Sequence, residues 1–191
     1  MNPDPEQPDR LLALAKQAKH YATHMMRTTG SVPPTVIADT SEGMIFGMPA
    51  NLKDDAAKDR FAEMARLLAV AYDAHAIVMV VEAWVKMATP DGKLDTVTPP
   101  SQSPDRIEVV ALMLEDHSRT GNDLLPIIRD ASGKFVDFGV SPVPTFTSAA
   151  GRFAGLMPKH RPDEREMAKA RAMLSAAGMT VVNQGFDSTL N

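Results

Sequence analysis

Two histidines and two aspartates lie at the ends of the two most apolar segments of the chain. Asp73 and His75 come just before the first segment, and Asp116 and His117 come just after the second. Two imidazoles with carboxylates could bind a divalent metal that activates water, or could exchange protons. The residue types therefore predict a metal or catalytic site, provided that the two segments bring these side chains together.

The pairing of the two segments decides whether the site can form. If they are antiparallel neighbours, a register that places Val85 near Ile107 also places His75 near His117. The alternative is that these polar residues are strand ends meeting solvent, since residues 117–123 have a good turn sequence of their own. Both alternatives stay open at this point.

Glu82 interrupts the apolar run of the first segment, just before Trp84. We expect this carboxylate to be buried, and a buried carboxylate must be paired or protonated. Arg106 opens the second segment and could reach Glu82, with Asp105 and Glu108 close by in the sequence. Glu82 and Arg106 are therefore predicted either as a catalytic pair in a cleft or as an ion pair at the base of the loop between the segments.

Several strong catalytic signatures are absent from the sequence. Gly133-Lys134 lacks the upstream glycine and the following Ser or Thr of a phosphate-binding loop. Neither a nucleophile elbow nor an H-E-x-x-H zinc motif occurs, and without cysteine there is no thiol nucleophile. No cofactor is expected, except a divalent metal under the alternative hypothesis.

Hydrophobic periodicity predicts three helices and at least six strands. The helices are expected at residues 9–28, 54–72 and 162–178, with a short interrupted helix at 147–156. Strands are expected at 35–40, 44–48, 76–85, 107–114, 124–130 and 134–138, and residues 180–182 are compatible with a small strand. Pro126 removes a ladder donor from its strand, which indicates a sheet edge.

This order predicts an α+β fold, a mostly antiparallel central sheet of about five strands with helices packed on it. The element order is α-β-β-α-β-β-β-β-α and resembles that of roadblock, longin and profilin-like sheets. We expect a disordered tail over residues 1–8, one domain over residues 9–182 and a C-terminal tail over residues 183–191. The loop over residues 86–106, which carries four prolines, is unusually long for a compact domain.

Composition narrows the class of protein. The 191 residues carry a net charge of −4 with no clear basic cluster, so we expect no nucleic-acid partner. No apolar run is long enough for a membrane span, and the start of the chain lacks the features of a signal peptide. The absence of cysteine fits a reducing compartment, so we expect a cytoplasmic protein.

The stretch from Ala74 through Asp116 carries a resemblance. It combines an apolar strand ending in Glu82-Ala83-Trp84, a proline-rich loop and the sequence from Ser103 to Val110. This pattern resembles one found in small uncharacterised bacterial and phage proteins. The resemblance implies a phage or mobile-element origin and implies no activity.

The leading hypothesis is a non-enzymatic protein-interaction or regulatory domain that forms a homodimer. If helices cover only one face of the sheet, a second subunit could cover the other face. The alternative is a metal-dependent enzyme using Asp73, His75, Asp116 and His117. A third idea is a phage-type inhibitor that binds another protein through the proline-rich loop, around Lys93 to Ser103.

Overall fold

The structure, a computed structural model, describes residues 9–87, 95–142 and 152–184. Within these residues there are three α-helices, seven strands and one 3-10 turn at Pro100–Gln102. The helices are α1 (Arg10–Thr29), α2 (Asp55–Ala71) and α3 (Glu164–Ala176). The strands are β1 (Thr35–Thr40), β2 (Gly43–Met48), β3 (Ala76–Val85), β4 (Ile107–Asp116), β5 (Thr120–Arg129), β6 (Phe135–Phe138) and β7 (Thr180–Gln184).

The helices begin where the sequence supplies caps. The carboxylate of Asp9 accepts hydrogen bonds from the amides of Leu11 and Leu12, both at 3.1 Å, and satisfies donors that α1 leaves free. Gly30 ends α1 with a φ of 77°, a left-handed conformation that glycine adopts without strain. Asp54 caps α2, and Asp163 with Glu166 forms a capping box on α3.

All seven strands form one antiparallel sheet in the order β6-β5-β4-β3-β1-β2-β7. The α+β class and the antiparallel sheet are thus confirmed, but the prediction of about five strands was too low. β7 follows α3 and pairs with β2 as far as Gln184, beyond the residues 180–182 that the local pattern indicates. Asn183 and Gln184 therefore belong to the sheet, although they were assigned to the C-terminal tail.

Two further local predictions need correction. β5 starts at Thr120, so Asn122 and Asp123 pair with Met113 and Leu112 and do not form a turn. The helix predicted over residues 147–156 is not present in its described part, since residues 152–156 form a turn followed by irregular chain. Residues 147–151 lie outside the described residues, as do residues 1–8 and 185–191.

The edge predicted from Pro126 is not an edge. β5 lies between β4 and β6, with Pro126 opposite Val109. Proline lacks only the backbone donor, and the Pro126 carbonyl still accepts a hydrogen bond from the Gly139 amide at 2.7 Å. The edges of the sheet are β6 and β7.

Helices cover both faces of the sheet. α1 packs on one face against side chains such as Val78, Val80 and Leu112. α2 and α3 pack on the opposite face, where Ile77 and Met79 point. Successive residues of a strand point to opposite faces, so the consecutive apolar residues of β3 and β4 fill two cores. The expected open face, which was the reason for placing a second subunit there, does not exist.

Candidate functional site

The two central strands pair in the register on which the metal hypothesis is conditional. β3 and β4 pair antiparallel with Val85 opposite Ile107 and Ala76 opposite Asp116. His75 and His117 therefore follow directly after the last pair at this end of the sheet. The backbone brings together the strand ends on which the metal hypothesis depends.

The carboxylates at this end already have partners. Asp116 accepts hydrogen bonds from the amide and hydroxyl of Ser118, both at 2.7 Å, and from the amide and guanidinium of Arg119. Burial raises the pKa of Asp116, but these hydrogen bonds outweigh burial and lower the pKa overall. Asp73, in a left-handed conformation with a φ of 45°, accepts from Nε of Arg161 at 2.9 Å.

Glu115 belongs to this end of β4 and is buried, with 9% of its surface exposed. Its carboxylate accepts hydrogen bonds from the amides of Leu156 at 2.8 Å and Met157 at 3.1 Å. It therefore holds the segment before α3 against the sheet. Among the described residues no group of three or more His, Asp or Glu side chains could hold a metal ion. The metal site stays a prediction without support from side-chain geometry.

At the opposite end of the sheet, Glu82 and Arg106 do not meet. Glu82 lies opposite Val110, whereas Arg106 precedes the start of β4, four positions further along the ladder. The guanidinium of Arg106 lies over Trp84 and binds the Ser101 carbonyl, and it forms no ion pair with Glu82. The predicted pairing within the chain was therefore wrong in its geometry.

Glu82 is also exposed, not buried as expected. This end of β3 extends past the C-terminal end of α1, where the chain has turned into the link to β1. Oε1 of Glu82 accepts a hydrogen bond from the Val32 amide in that link, at 2.5 Å. The carboxylate thereby joins the link to the sheet and stays open to solvent.

Arg106 lies on the ring of Trp84, with its guanidinium carbon 4.5 Å from the ring centroid. The guanidinium also donates a hydrogen bond to the carbonyl of Ser101 in the long loop. A cation over an aromatic face is attracted by the negative face of the ring. The predicted partner of Arg106 was a carboxylate, and the observed partner is the only tryptophan of the chain.

Glu108 and Arg129 form an ion pair that the sequence analysis missed. Nε and Nη2 of Arg129 donate to the two carboxylate oxygens of Glu108, at 3.0 and 2.9 Å. This hydrogen bonding raises the pKa of Arg129 above its ordinary value. The two residues are on different strands, and only the pairing of β4 with β5 brings them together. No local pattern could have indicated it.

The described part of the long loop is held by Lys86. Its ammonium group, on a side chain only 9% exposed, donates to Asp95 at 2.9 Å and to the carbonyl of Thr98 at 2.6 Å. The hydrogen bond from Lys86, followed by those from Thr98 and Val97, places the pKa of Asp95 far below its ordinary value. Residues 93 and 94 of the predicted binding segment lie outside the described residues.

Exposed apolar side chains concentrate at this same end of the sheet. Of the eight large hydrophobic side chains that are exposed in the described part of the chain, five lie at the end of β3, in the loop held by Lys86, or where β5 turns into β6. The five are Trp84, Met87, Val97, Ile128 and Val136. Leu12 and Met173 lie on helices, and Val140 follows β6.

The described surface includes two grooves, of which the second adjoins the turn between β5 and β6. An apolar groove of about 320 Å³ lies between α2 and α3, with Met64, Leu67 and Met173 in its lining. A cleft of about 580 Å³ at the C-terminal end of α1 is lined by Arg27, Arg129 and Lys134, among others. Cations at a helix C-terminus interact favourably with its dipole, which accounts for charge in this cleft without a ligand.

No helix among the described residues is long and apolar enough to cross a membrane. Comparisons of the chain with protein-family models, with curated proteins and with solved structures return no match.

Proposed function

We propose that this chain is a non-enzymatic protein-interaction or regulatory domain that works as a homodimer. The observation that carries the proposal is the concentration of five of the eight exposed large hydrophobic side chains at one end of the sheet. Trp84 and Ile128 are on opposite faces, so the five side chains surround this end of the sheet, and such a grouping marks an interaction site more often than scattered single residues do. A partner that covers these side chains would remove apolar surface from water, which stabilises the complex.

The composition of the surface supports protein binding. Trp84 is 41% exposed and lies under Arg106. Tryptophan and arginine are enriched among the residues that contribute most to protein interfaces, because they bury a large area and still make polar contacts. The cation–π contact holds both side chains in place before a partner arrives, which lowers the entropy lost on binding.

A bacterial or phage origin and a cytoplasmic location are part of the proposal. The resemblance of the stretch from Ala74 through Asp116 to small bacterial and phage proteins supports the origin. The complete absence of cysteine in 191 residues supports a reducing compartment.

Sedimentation of the purified chain at micromolar concentration tests the proposal. We expect a dimer, and we expect Trp84→Ala to raise the dimer dissociation constant at least about tenfold, as truncation of a central interface tryptophan does. Leu12→Ala is the matched control, since Leu12 is equally exposed at 41% but lies on α1; it should leave the constant unchanged. A wild-type chain that sediments as a monomer contradicts the proposal.

A further inference from the structure

Glu82 and Arg106 are two exposed charges at the Trp84 end of the sheet, and no described residue forms an ion pair with either of them. Glu82 contacts a backbone amide, and Arg106 contacts a carbonyl and the Trp84 ring. Among the described residues neither forms an ion pair. Two ion pairs lie nearby, Glu108 with Arg129 and Lys86 with Asp95, and Glu82 also acts electrostatically on Arg129.

These two charges and the tryptophan form an ordered row on one face of the sheet. Glu82 and Trp84 are two residues apart on β3 and point to the same face, and Arg106 covers the Trp84 ring. The row therefore reads anion, aromatic ring, cation. When this row is rotated by 180° about an axis through the ring, Arg106 of the rotated copy lies where Glu82 of the original lies, and Glu82 lies where Arg106 was.

A surface with this property is complementary to itself. In a two-fold symmetric dimer each side contributes the same residues, so an interface is favourable when opposite charges lie at equal distances on either side of the axis. From this geometry we infer that a second copy of the chain docks on the row. Trp84 of the two copies meets at the axis, and Glu82 of each copy pairs with Arg106 of the other.

The inference rests on the homodimer proposed above and adds the surface at which the copies meet. It also accounts for the ion pair that the sequence predicts within one chain, because the pair forms between chains. The competing surface for a second copy is the β7 edge. Its described side chains carry no charge (Thr180, Val181, Val182 and Asn183), so antiparallel self-pairing meets no repulsion there.

Charge reversal tests the inference. Glu82→Arg and Arg106→Glu each place like charges across the axis, and each should raise the dimer dissociation constant at least about tenfold at low salt. The double variant restores opposite charges and should return the constant to within about threefold of wild type. Glu42→Arg is the control, since this exposed glutamate lies in the β1–β2 turn, and it should have no effect.

Two further variants separate folding from docking. Glu82→Gln keeps an oxygen that accepts from the Val32 amide, so it should preserve the melting temperature measured at concentrations where the chain is monomeric and still weaken the dimer. A wild-type dimer whose constant does not respond to the reversals, or a double variant as weak as the single ones, overturns the inference and leaves the homodimer standing. If the charge reversals have no effect and the double variant Thr180→Lys, Asn183→Lys dissociates the dimer, the two copies meet at the β7 edge. A monomeric wild type overturns both proposals.

Discussion

Arg119 joins two parts of the molecule that are far apart in sequence. Its guanidinium donates to Asp9, the cap of α1, and to Asp116 at the end of β4. The hydrogen bond from Arg119 lowers the pKa of Asp9, and the two carboxylates raise the pKa of Arg119. This residue therefore fixes the start of α1 against the β4–β5 turn.

We predict that Arg119→Gln lowers the free energy of unfolding by about 1 kcal/mol at pH 7, the upper range for partly exposed ion pairs. Because Asp9 and Asp116 have lowered pKa values in the folded chain, their stabilisation is present above the unfolded pKa, near 4, and is lost as the pH falls through the folded values. Urea unfolding at pH 7 and pH 3 should show the difference between variant and wild type shrinking at pH 3.

Arg10→Gln provides the control for this measurement. Arg10 lies on the same helix and pairs with Asp39 at 3.6 Å, with 58% of its side chain exposed. Such an exposed ion pair contributes little to stability, so Arg10→Gln should lower the free energy of unfolding by less than about 0.5 kcal/mol. The described role of Arg119 is contradicted if Arg119→Gln lowers the free energy of unfolding no more than Arg10→Gln does. It is also contradicted if the loss of stability grows at low pH.

At the scale of elements, β2 must approach its neighbours closely at Gly47. A Cβ atom on Gly47 would lie 2.8 Å from the Leu68 side chain of α2 and 2.9 Å from the Val36 side chain of β1, and closer still to Met179. Real Cβ atoms do not come this near to other atoms. Glycine is therefore required here by close approach, and the position lies in the core under α2.

We predict that Gly47→Ala lowers the free energy of unfolding by about 1–3 kcal/mol, the usual range for an overpacked core. The matched control is Gly139→Ala, whose Cβ would lie 3.3 Å from Pro126, a contact that needs a shift of only a few tenths of an ångström, so the change should cost less than about 1 kcal/mol. Thermal or urea unfolding of the two variants measures both values. Equal losses at the two positions would refute the packing argument.

At the scale of the whole molecule, one sheet separates two cores. Leu14 of α1 is buried on one face and Leu68 of α2 on the other, with 1% and 0% of their surfaces exposed. The same strands line both cores, since alternate residues of β3 and β4 belong to each. Loss of packing on one face should therefore weaken the support of the other.

We predict that Leu14→Ala and Leu68→Ala each lower the free energy of unfolding by about 2–5 kcal/mol, as large-to-small changes in a core do. Both variants should unfold in one transition in which Trp84 fluorescence and far-ultraviolet circular dichroism coincide, at a fixed protein concentration. Leu12→Ala, at an exposed position of α1, should change stability by less than about 1 kcal/mol. Separate transitions for the two faces would show that the cores are independent.

The metal hypothesis shows what the sequence leaves undetermined. β3 and β4 are apolar on both faces, so the sequence does not fix their register, and the Val85–Ile107 pairing was a condition of the hypothesis that the structure fulfils. The contacts of the side chains at the far end of these strands could not be derived from the sequence, because their partners come from distant parts of the chain. Arg161 reaches Asp73 across 88 positions of sequence, and the amides that bind Glu115 belong to the segment before α3.

Glu82 and Arg106, beside Trp84, show the same limit of what the sequence can predict. Burial of Glu82 was inferred from its apolar neighbours in β3, but burial depends on where α1 ends over the sheet. Arg106 was paired by closeness of charge, although its guanidinium lies over Trp84 and forms no ion pair with Glu82. The hydrophobic period of a local sequence predicts whether it forms a helix or a strand. It does not show which other parts of the chain cover that element.

The sequence by itself determined the three helices and six of the seven strands. These follow from short-range effects, namely hydrophobic period, capping side chains and turn residues. Only the tertiary structure decided the register of β3 and β4, that β7 completes the sheet beside β2, that helices cover both faces, and that Arg106 contacts Trp84 and forms no ion pair with Glu82. Those features depend on contacts between distant segments, whose free energy is set by the packed arrangement and not by any local stretch of residues.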